Sequence, residues 1–351
     1  MSNTIVAIML TRKNVKNLTN PEKEKFVNAV LNLKKAKSLI HHDDPKFSRY
    51  DDYVEIHMHA MMVESPTDPL IDPDWHPGWA HNGPSFFPWH REYLLQFEKD
   101  LQSVSEDETV FIPYWDWSDS ESTPFTSDFL GSDGESSSEG GPGKVMDGPF
   151  AFDGPNHWTI IVKDENSDPD YLMRGLGRRR DAPQLPTLVQ IDRIMKITFY
   201  DSPVWKLASP GFRTAVEVPL HNLVHRWVNG TMLMMGSPND PVFWLHHANV
   251  DRLWGDWQRI HPTTCPFLPS KWATQGHNLY DVIIFSEDMH HHTGFKKTRV
   301  VNVLNHILLG YQYDSDPMDV VESFTKEIKI RDKISREKHK LQMFPSLQEI
   351  S

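Results

Sequence analysis

Residues 221–251 read HNLVHRWVNGTMLMMGSPNDPVFWLHHANVD, and the histidine spacing within them decides the fold. His221 and His225 stand four apart, so on a helix both imidazoles lie on one face, one turn apart. His246 and His247 follow a Gly-Ser-Pro-Asn-Asp-Pro break, on a second helix expected from Pro241 to Ile260. Two antiparallel helices joined in this way can present three imidazoles to one metal ion. Adjacent helical residues differ by about 100°. Only one of His246 and His247 therefore faces the same ion as His221 and His225 with ease.

The N-terminal half offers a second set. His57 and His59 fall on a helix expected from Tyr50 to about Val63, His81 on a loop, and His90 on a helix that starts near Ser85 and carries Leu94, Phe97 and Leu101. His57 and His59 are two apart and face different ways; one of them, with His81 and His90, makes another three-imidazole group. Such groups with open positions suit copper, zinc or iron. The only cysteine, Cys265, excludes both a multi-thiolate site and an internal disulfide. A carboxylate-bridged di-iron bundle needs two Glu-x-x-His motifs, and only Glu287-x-x-His290 fits. The His-Glu-x-x-His of zinc proteases is missing. Two all-histidine triads point to a copper pair.

The rest of the chain frames this centre. A helix starts at Asn20-Pro21-Glu22 and carries Phe26, Val30, Leu33 and Leu39 at helical spacing. Residues 65–83 and 118–154 are rich in Pro, Gly, Ser and Asp and read as long loops. Val110 to Trp117 (VFIPYWDW) is aromatic and buried, residues 155–211 are mixed, a helix runs from about Arg213 to Val228, and a strand lies near Val282 to Phe285. The fold class is mainly α: a central four-helix bundle holding a dicopper site, with long loops and a few short strands. Residues 1–314 make the metal domain, and residues 315–351 a charged tail, a helical extension or lid. The net charge of -12 gives no basic footprint for nucleic acid. No run approaches the roughly 20 apolar residues of a membrane helix. Met1 to Leu10 lacks the basic start of a signal peptide, so a cytoplasmic location is expected.

At this point the sequence resembles the tyrosinase family of type-3 copper oxidases, in its short bacterial form. His81-Asn-Gly-Pro-Ser-Phe-Phe-Pro-Trp-His90-Arg91 resembles the first copper motif, followed by the Leu94/Phe97/Leu101 helix and Pro113-Tyr-Trp-Asp-Trp117. Residues 237–251, with His221-Asn222-x-x-His225 before them, resemble the second, and Gly310-Tyr-Gln-Tyr313 the closing motif. The resemblance implies His57, His81 and His90 as ligands of one copper (CuA), Arg49-Tyr50-Asp51 selecting His57 over His59. It implies His221, His225 and His247 for the other (CuB), with His246 beside them. Two departures stand out. Trp79 and Ala80 precede His81, so the cysteine–histidine thioether of fungal and molluscan relatives cannot form, and the gap from Arg213 to His221 is shorter than in bacterial relatives. The shielding C-terminal domain of latent forms is also missing.

The resemblance further implies a monooxygenase and catechol oxidase: O2 and small phenols as reactants, monophenols hydroxylated at the ortho position, and o-diphenols oxidised to o-quinones. Glu217 and Asn222 match the residues that hold a water for phenol deprotonation, a free phenol having a pKa of about 10. Arg91 and Asp251 are expected to pair and tie the two copper helices together. From their places after His225, Arg226 is expected to face the entrance and favour acidic phenols, and Met235 to gate it in part. His290-His291-His292 reads as a solvated loop or a copper-loading patch. The competing readings are an oxidase of o-diphenols or o-aminophenols only, a haemocyanin-like O2 carrier, and a redox-silent zinc site.

Overall fold

The computed structural model describes residues 9–62, 78–135, 140–285, 294–319 and 322. The first helix, α1 (Asn20–Leu33), is entered through a capping box: the Thr19 hydroxyl accepts from the Glu22 amide while the Glu22 carboxylate accepts from the Thr19 amide. Thr19, not Asn20, is thus the cap, and Pro21 sits one residue further in than the sequence suggests. Phe26, Val30 and Leu33 are buried along one face. The helix stops at Leu33, leaving Leu39 outside it and 45% exposed.

Three further helical segments enclose the centre with α1 behind them. They are α2 (Arg49–Met62), α3 (Phe86–Ser105) and, at the end of the histidine-rich stretch, α7 (Val242–Ile260). Aromatic packing sets their spacing. Phe97 of α3 stacks on Trp244 of α7 with centroids 3.5 Å apart and planes 5° apart. Tyr50 of α2 receives the Trp244 indole N–H at 3.0 Å and donates its own hydroxyl to the Pro238 carbonyl at 2.6 Å. Such pairs add about 0.5–1.5 kcal/mol each beyond area burial, and they fix the helix register.

A helix that the sequence does not signal clearly, α4 (Leu188–Met195), lies in the mixed region and is capped by Thr187. The expected Arg213–Val228 helix is interrupted: α5 (Phe212–Val216) passes through a wider π turn, Glu217–His221, into α6 (Asn222–Val228). Pro219 has no amide to donate to residue 215, so the regular ladder breaks there.

Strands are few, as expected, but the main pair is elsewhere. β1 (Leu10–Arg12) runs parallel to β4 (Tyr311–Tyr313), joining the two ends of the domain, and β2 (Gly143–Lys144) pairs with β3 (Met173–Arg174). The strand expected at 282–285 reduces to one bridge, Val282 to Arg299. The 118–154 excursion sends Phe129, Leu130, Val145 and Phe150 into the common core. Asp314 and Asp316 are held by the domain, through Asn14 and His306 respectively, so the boundary expected at residue 315 has described contacts on both sides. Most of the tail, Glu287 and His290–His292 lie outside the described residues. Among the described residues, no helix is long and apolar enough to cross a membrane.

Candidate metal centre

The helices bring the histidines into two groups. His57 from α2, His81 from the loop before α3, and His90 from α3 form one. His221 and His225 on the π turn and α6, with His246 and His247 on α7, form the other. Within each group the ligand-capable atoms lie within 4.8 Å of one another. The groups adjoin: His90 stacks on His247 with centroids 4.2 Å apart, and His81 lies 5.7 Å from His221. His59 turns away towards Trp79, with ring centroids 6.1 Å apart, as its two-residue offset from His57 requires.

Backbone carbonyls hold the outer ring nitrogens. His57 Nδ1 donates to Met235 O at 2.8 Å, His90 Nδ1 to Phe86 O at 2.8 Å and His225 Nδ1 to Met232 O at 2.6 Å. His221 Nδ1 lies 2.9 Å from Asn222 Oδ1 and 3.2 Å from Glu217 O. This arrangement puts the proton on Nδ1 and the lone pair on Nε2, the tautomer that metals bind.

The inner nitrogens are then left over. His57 Nε2, His90 Nε2, His81 Nδ1 and both nitrogens of His246 and His247 are buried without a hydrogen-bond partner, and the Nε2 atoms of His221 and His225 face each other at 3.1 Å. Buried polar atoms are normally satisfied, and two neutral acceptors do not attract. A cation held by one inner nitrogen of each ligand histidine would satisfy His57, His81 and His90 and relieve the contact between His221 and His225, so the residues fit a metal pair. Burial drives His57 down to about 3 and His225 to about 4, and lowers His81, His90, His221, His246 and His247 well below the usual imidazole value. All are neutral and ligand-ready at neutral pH.

His246 and His247 are both fully buried, about 100° apart around α7. His247 lies between His90 and Phe243, whereas His246 stacks on His221 and touches Trp117. A cavity of about 290 Å³ opens onto the inner histidines. Met61, Met232, Met234, Met235, Asn222 and Arg226 form its walls.

Glu217 is fully buried. Its carboxylate accepts from the Asn82 amide at 2.6 Å and from Arg213 at 2.9 Å. Burial raises its pKa above the ordinary carboxyl value against the pull of Arg213. Arg226 reaches Asp181 only at 3.7 Å, and its Nε is buried without a hydrogen-bond partner.

Arg91 and Asp251 meet at 2.5 Å, both buried, one residue after His90 and four after His247. Asp251 also accepts from the hydroxyls of Tyr311 and Tyr313 at 2.6 and 2.5 Å, and Arg12, clamped by Glu98, stands 3.6 Å away. The metal helices are thus bolted to the β1–β4 pair.

Two residues around the centre had no signature in the sequence. His277 is buried against the hydroxyl of Ser85 at 2.7 Å, next to the His81 loop. Asp164 binds the Met235 and Gly236 amides at 2.7 Å each. Neither stands near a histidine motif in the chain.

Residues 47–260 match the family model for the common central domain of tyrosinase. The chain is 43% identical to the tyrosinase of Streptomyces antibioticus, over 74% of this chain and 87% of that one. It is 40% identical to the tyrosinase of Streptomyces glaucescens, over 88% of this chain and 100% of that one. Among solved structures, a single-residue variant of a polyphenol oxidase from Thermothelomyces thermophila superposes with a TM-score of 0.60 at 23% identity, covering 85% of this chain and 86% of that one.

Proposed function

Since the chain belongs to the tyrosinase family, and so is a copper-dependent oxidase of phenols that uses O2, we propose that it holds two copper ions. His57, His81 and His90 bind CuA, and His221, His225 and His247 bind CuB. The observation that carries this reading is the set of buried inner nitrogens without hydrogen-bond partners, converging from two adjacent groups beneath an open cavity.

Copper, when bound, supplies the electron transfer between O2 and the phenol; the protein supplies the geometry. The carbonyls of Met235, Phe86 and Met232 fix ring orientation and tautomer. The cavity admits a single aromatic ring, being at the lower end of the size range of small-molecule sites. Its methionine wall packs on the ring face, and Met235, whose carbonyl holds His57, partly gates entry. Arg226, on the cavity wall and only loosely paired with Asp181 at 3.7 Å, attracts phenols that carry a carboxylate. Glu217 and Asn222 hold a water that takes the phenol proton. A carboxylate accepts about four hydrogen bonds, so Glu217 keeps capacity beyond its contacts with Asn82 and Arg213. Asn222 keeps its amide NH2 after accepting from His221. His246 backs the CuB ligands by stacking on His221.

The test is copper loading of the metal-free protein, followed by separate assays with a monophenol and a catechol. Two coppers per chain and quinone from both substrates are expected. Quinone from catechol alone would remove the ortho-hydroxylation, and quinone from neither would favour the carrier or zinc reading. His247→Ala is expected to retain one copper and His246→Ala two; the reverse pattern would exchange their roles.

A further inference from the structure

The grip of Asp164 on the loop behind His57 has the form of a relay. Oδ1 of Asp164 accepts from the Gly236 amide and Oδ2 from the Met235 amide, both at 2.7 Å. The Gly236 N–H and the Met235 C=O belong to one peptide group, and that carbonyl accepts from His57 Nδ1 at 2.8 Å. Carboxylate, peptide and imidazole therefore form one hydrogen-bonded line. A negative charge at the N–H end of an amide polarises it and makes its carbonyl a stronger acceptor, because hydrogen bonds in a chain reinforce one another by roughly 10–30% each. Metal-bound histidines commonly donate to a carboxylate directly, which raises the donor strength of the ligand nitrogen. Here the carboxylate stands one peptide further back.

The surroundings are built for that approach. Asn239 donates to the Val162 carbonyl at 2.8 Å and anchors the Asp164 loop, while Glu165 and Asp168 close it into a turn. A side chain at position 236 would press on both anchors: a Cβ there would stand 2.9 Å from Asp164 Oδ1 and 3.1 Å from Asn239 Nδ2, which would have to shift. The glycine lets the carboxylate reach the amide.

We propose that Asp164 is a positioning residue for CuA, which strengthens and aims His57 as a copper ligand through the 235–236 peptide. This rests on His57 being a copper ligand. CuA is thereby given an anionic supporting group from the loop before β3, far from His57 in the chain, and its copper is held more tightly.

The experiment uses the full chain with histidine ring nitrogens labelled, in the copper(I) form, comparing wild type, Asp164→Asn and the loop control Asp170→Asn, whose side chain pairs with Lys163 at the surface. In Asp164→Asn the His57 Nδ1–H resonance is expected to move upfield while that of His90, held by Phe86 on α3, stays in place. One of the two coppers should pass to a competing copper(I) chelator about ten-fold faster, the low end of the range for outer-shell changes. Asp170→Asn should match wild type. A wild-type His57 signal and wild-type copper loss in Asp164→Asn would overturn the proposal. So would equal movement of the His57 and His90 signals, which would make Asp164 a loop staple only. If Asp164→Asn does not fold, Gly236→Ala, which presses on the carboxylate without removing it, must shift the His57 signal in the same direction; an unchanged signal there counts against the relay. A wild-type chain that binds no copper defeats the ligand assignment instead, and is distinguished by the metal content measured first.

Discussion

Removing the charge of Asp251 tests the bolt behind the metal centre. The carboxylate is buried with Arg91 at 2.5 Å and Arg12 at 3.6 Å, and Arg12 is already neutralised by Glu98. Asp251→Asn leaves one net positive charge in this cluster, with both guanidinium side chains 0% exposed. Breaking a buried pair from one side costs about 3–5 kcal/mol. The Val303 and Leu304 carbonyls still accept from Arg91, which favours the lower end. At about 2.1 cal/mol/K of unfolding entropy per residue, a domain of this size should lose about 5–8 °C in melting temperature, measured by calorimetry on the copper-free protein at a fixed scan rate.

The pH dependence gives the sign. Burial pushes the Asp251 carboxyl up, but Arg91 and Arg12 outweigh it, and its pKa lies below the ordinary value. A depressed folded pKa means stability that is present above the unfolded value, about 3.9, and lost as pH falls through the folded one. The gap between wild type and Asp251→Asn should therefore close below about pH 4. The double variant Arg91→Met/Asp251→Leu should recover much of the loss, since apolar replacement of a buried pair is often neutral. A melting shift below about 2 °C for Asp251→Asn, well under the expected scale, would mean that Asp251 does not bolt the helices.

Three further outcomes are expected. The depressed imidazoles make the metal-free protein acid-sensitive: the unfolded histidines take protons below about 6.5, whereas His57 and His225 resist until about 3 and 4. Stability should thus fall from about pH 6.5 towards about 4, and a pH-independent unfolding midpoint over that window would contradict the burial. Gly230 has φ +54° and a Cβ there would stand 2.1 Å from the Met173 carbonyl, so Gly230→Ala should cost more than about 1 kcal/mol and loosen copper at His225, whose carbonyl partner is Met232; urea unfolding and metal content check it. Arg226→Gln should leave turnover of neutral catechols near wild type and raise KM for carboxylated phenols severalfold, and equal effects on both substrates would remove Arg226 from substrate selection.

The histidine framework was legible because helical spacing and metal chemistry act locally: His221 and His225 share a face wherever the helix packs, and His57 and His59 cannot. The Arg91–Asp251 contact could be expected because each residue is tied by a short helical interval to a histidine of the centre. What stayed hidden depends on partners far along the chain. Asp164 reaches Met235 from 71 positions away, with no pattern at either end. β1 and β4 are three residues each, too short for an alternation signal, and they pair across the length of the domain. The π turn had one local cue, Pro219, but a missing amide in a helix predicts a break or a kink as readily as a widened turn. His277 has no local cue, because its partner Ser85 lies 192 positions away.

The pairing of Leu10–Arg12 with Tyr311–Tyr313 has a consequence for the order of assembly. Arg12 is made 301 positions ahead of Tyr313, so a growing polypeptide can build α1, α2 and α3 while the guanidinium of Arg12 and the carboxylate of Asp251 still lack their tyrosine neighbours. The clasp closes only after Tyr313 has left the ribosome. Until then α3 and α7 hold each other through Arg91–Asp251 and Phe97–Trp244, without the strand pair.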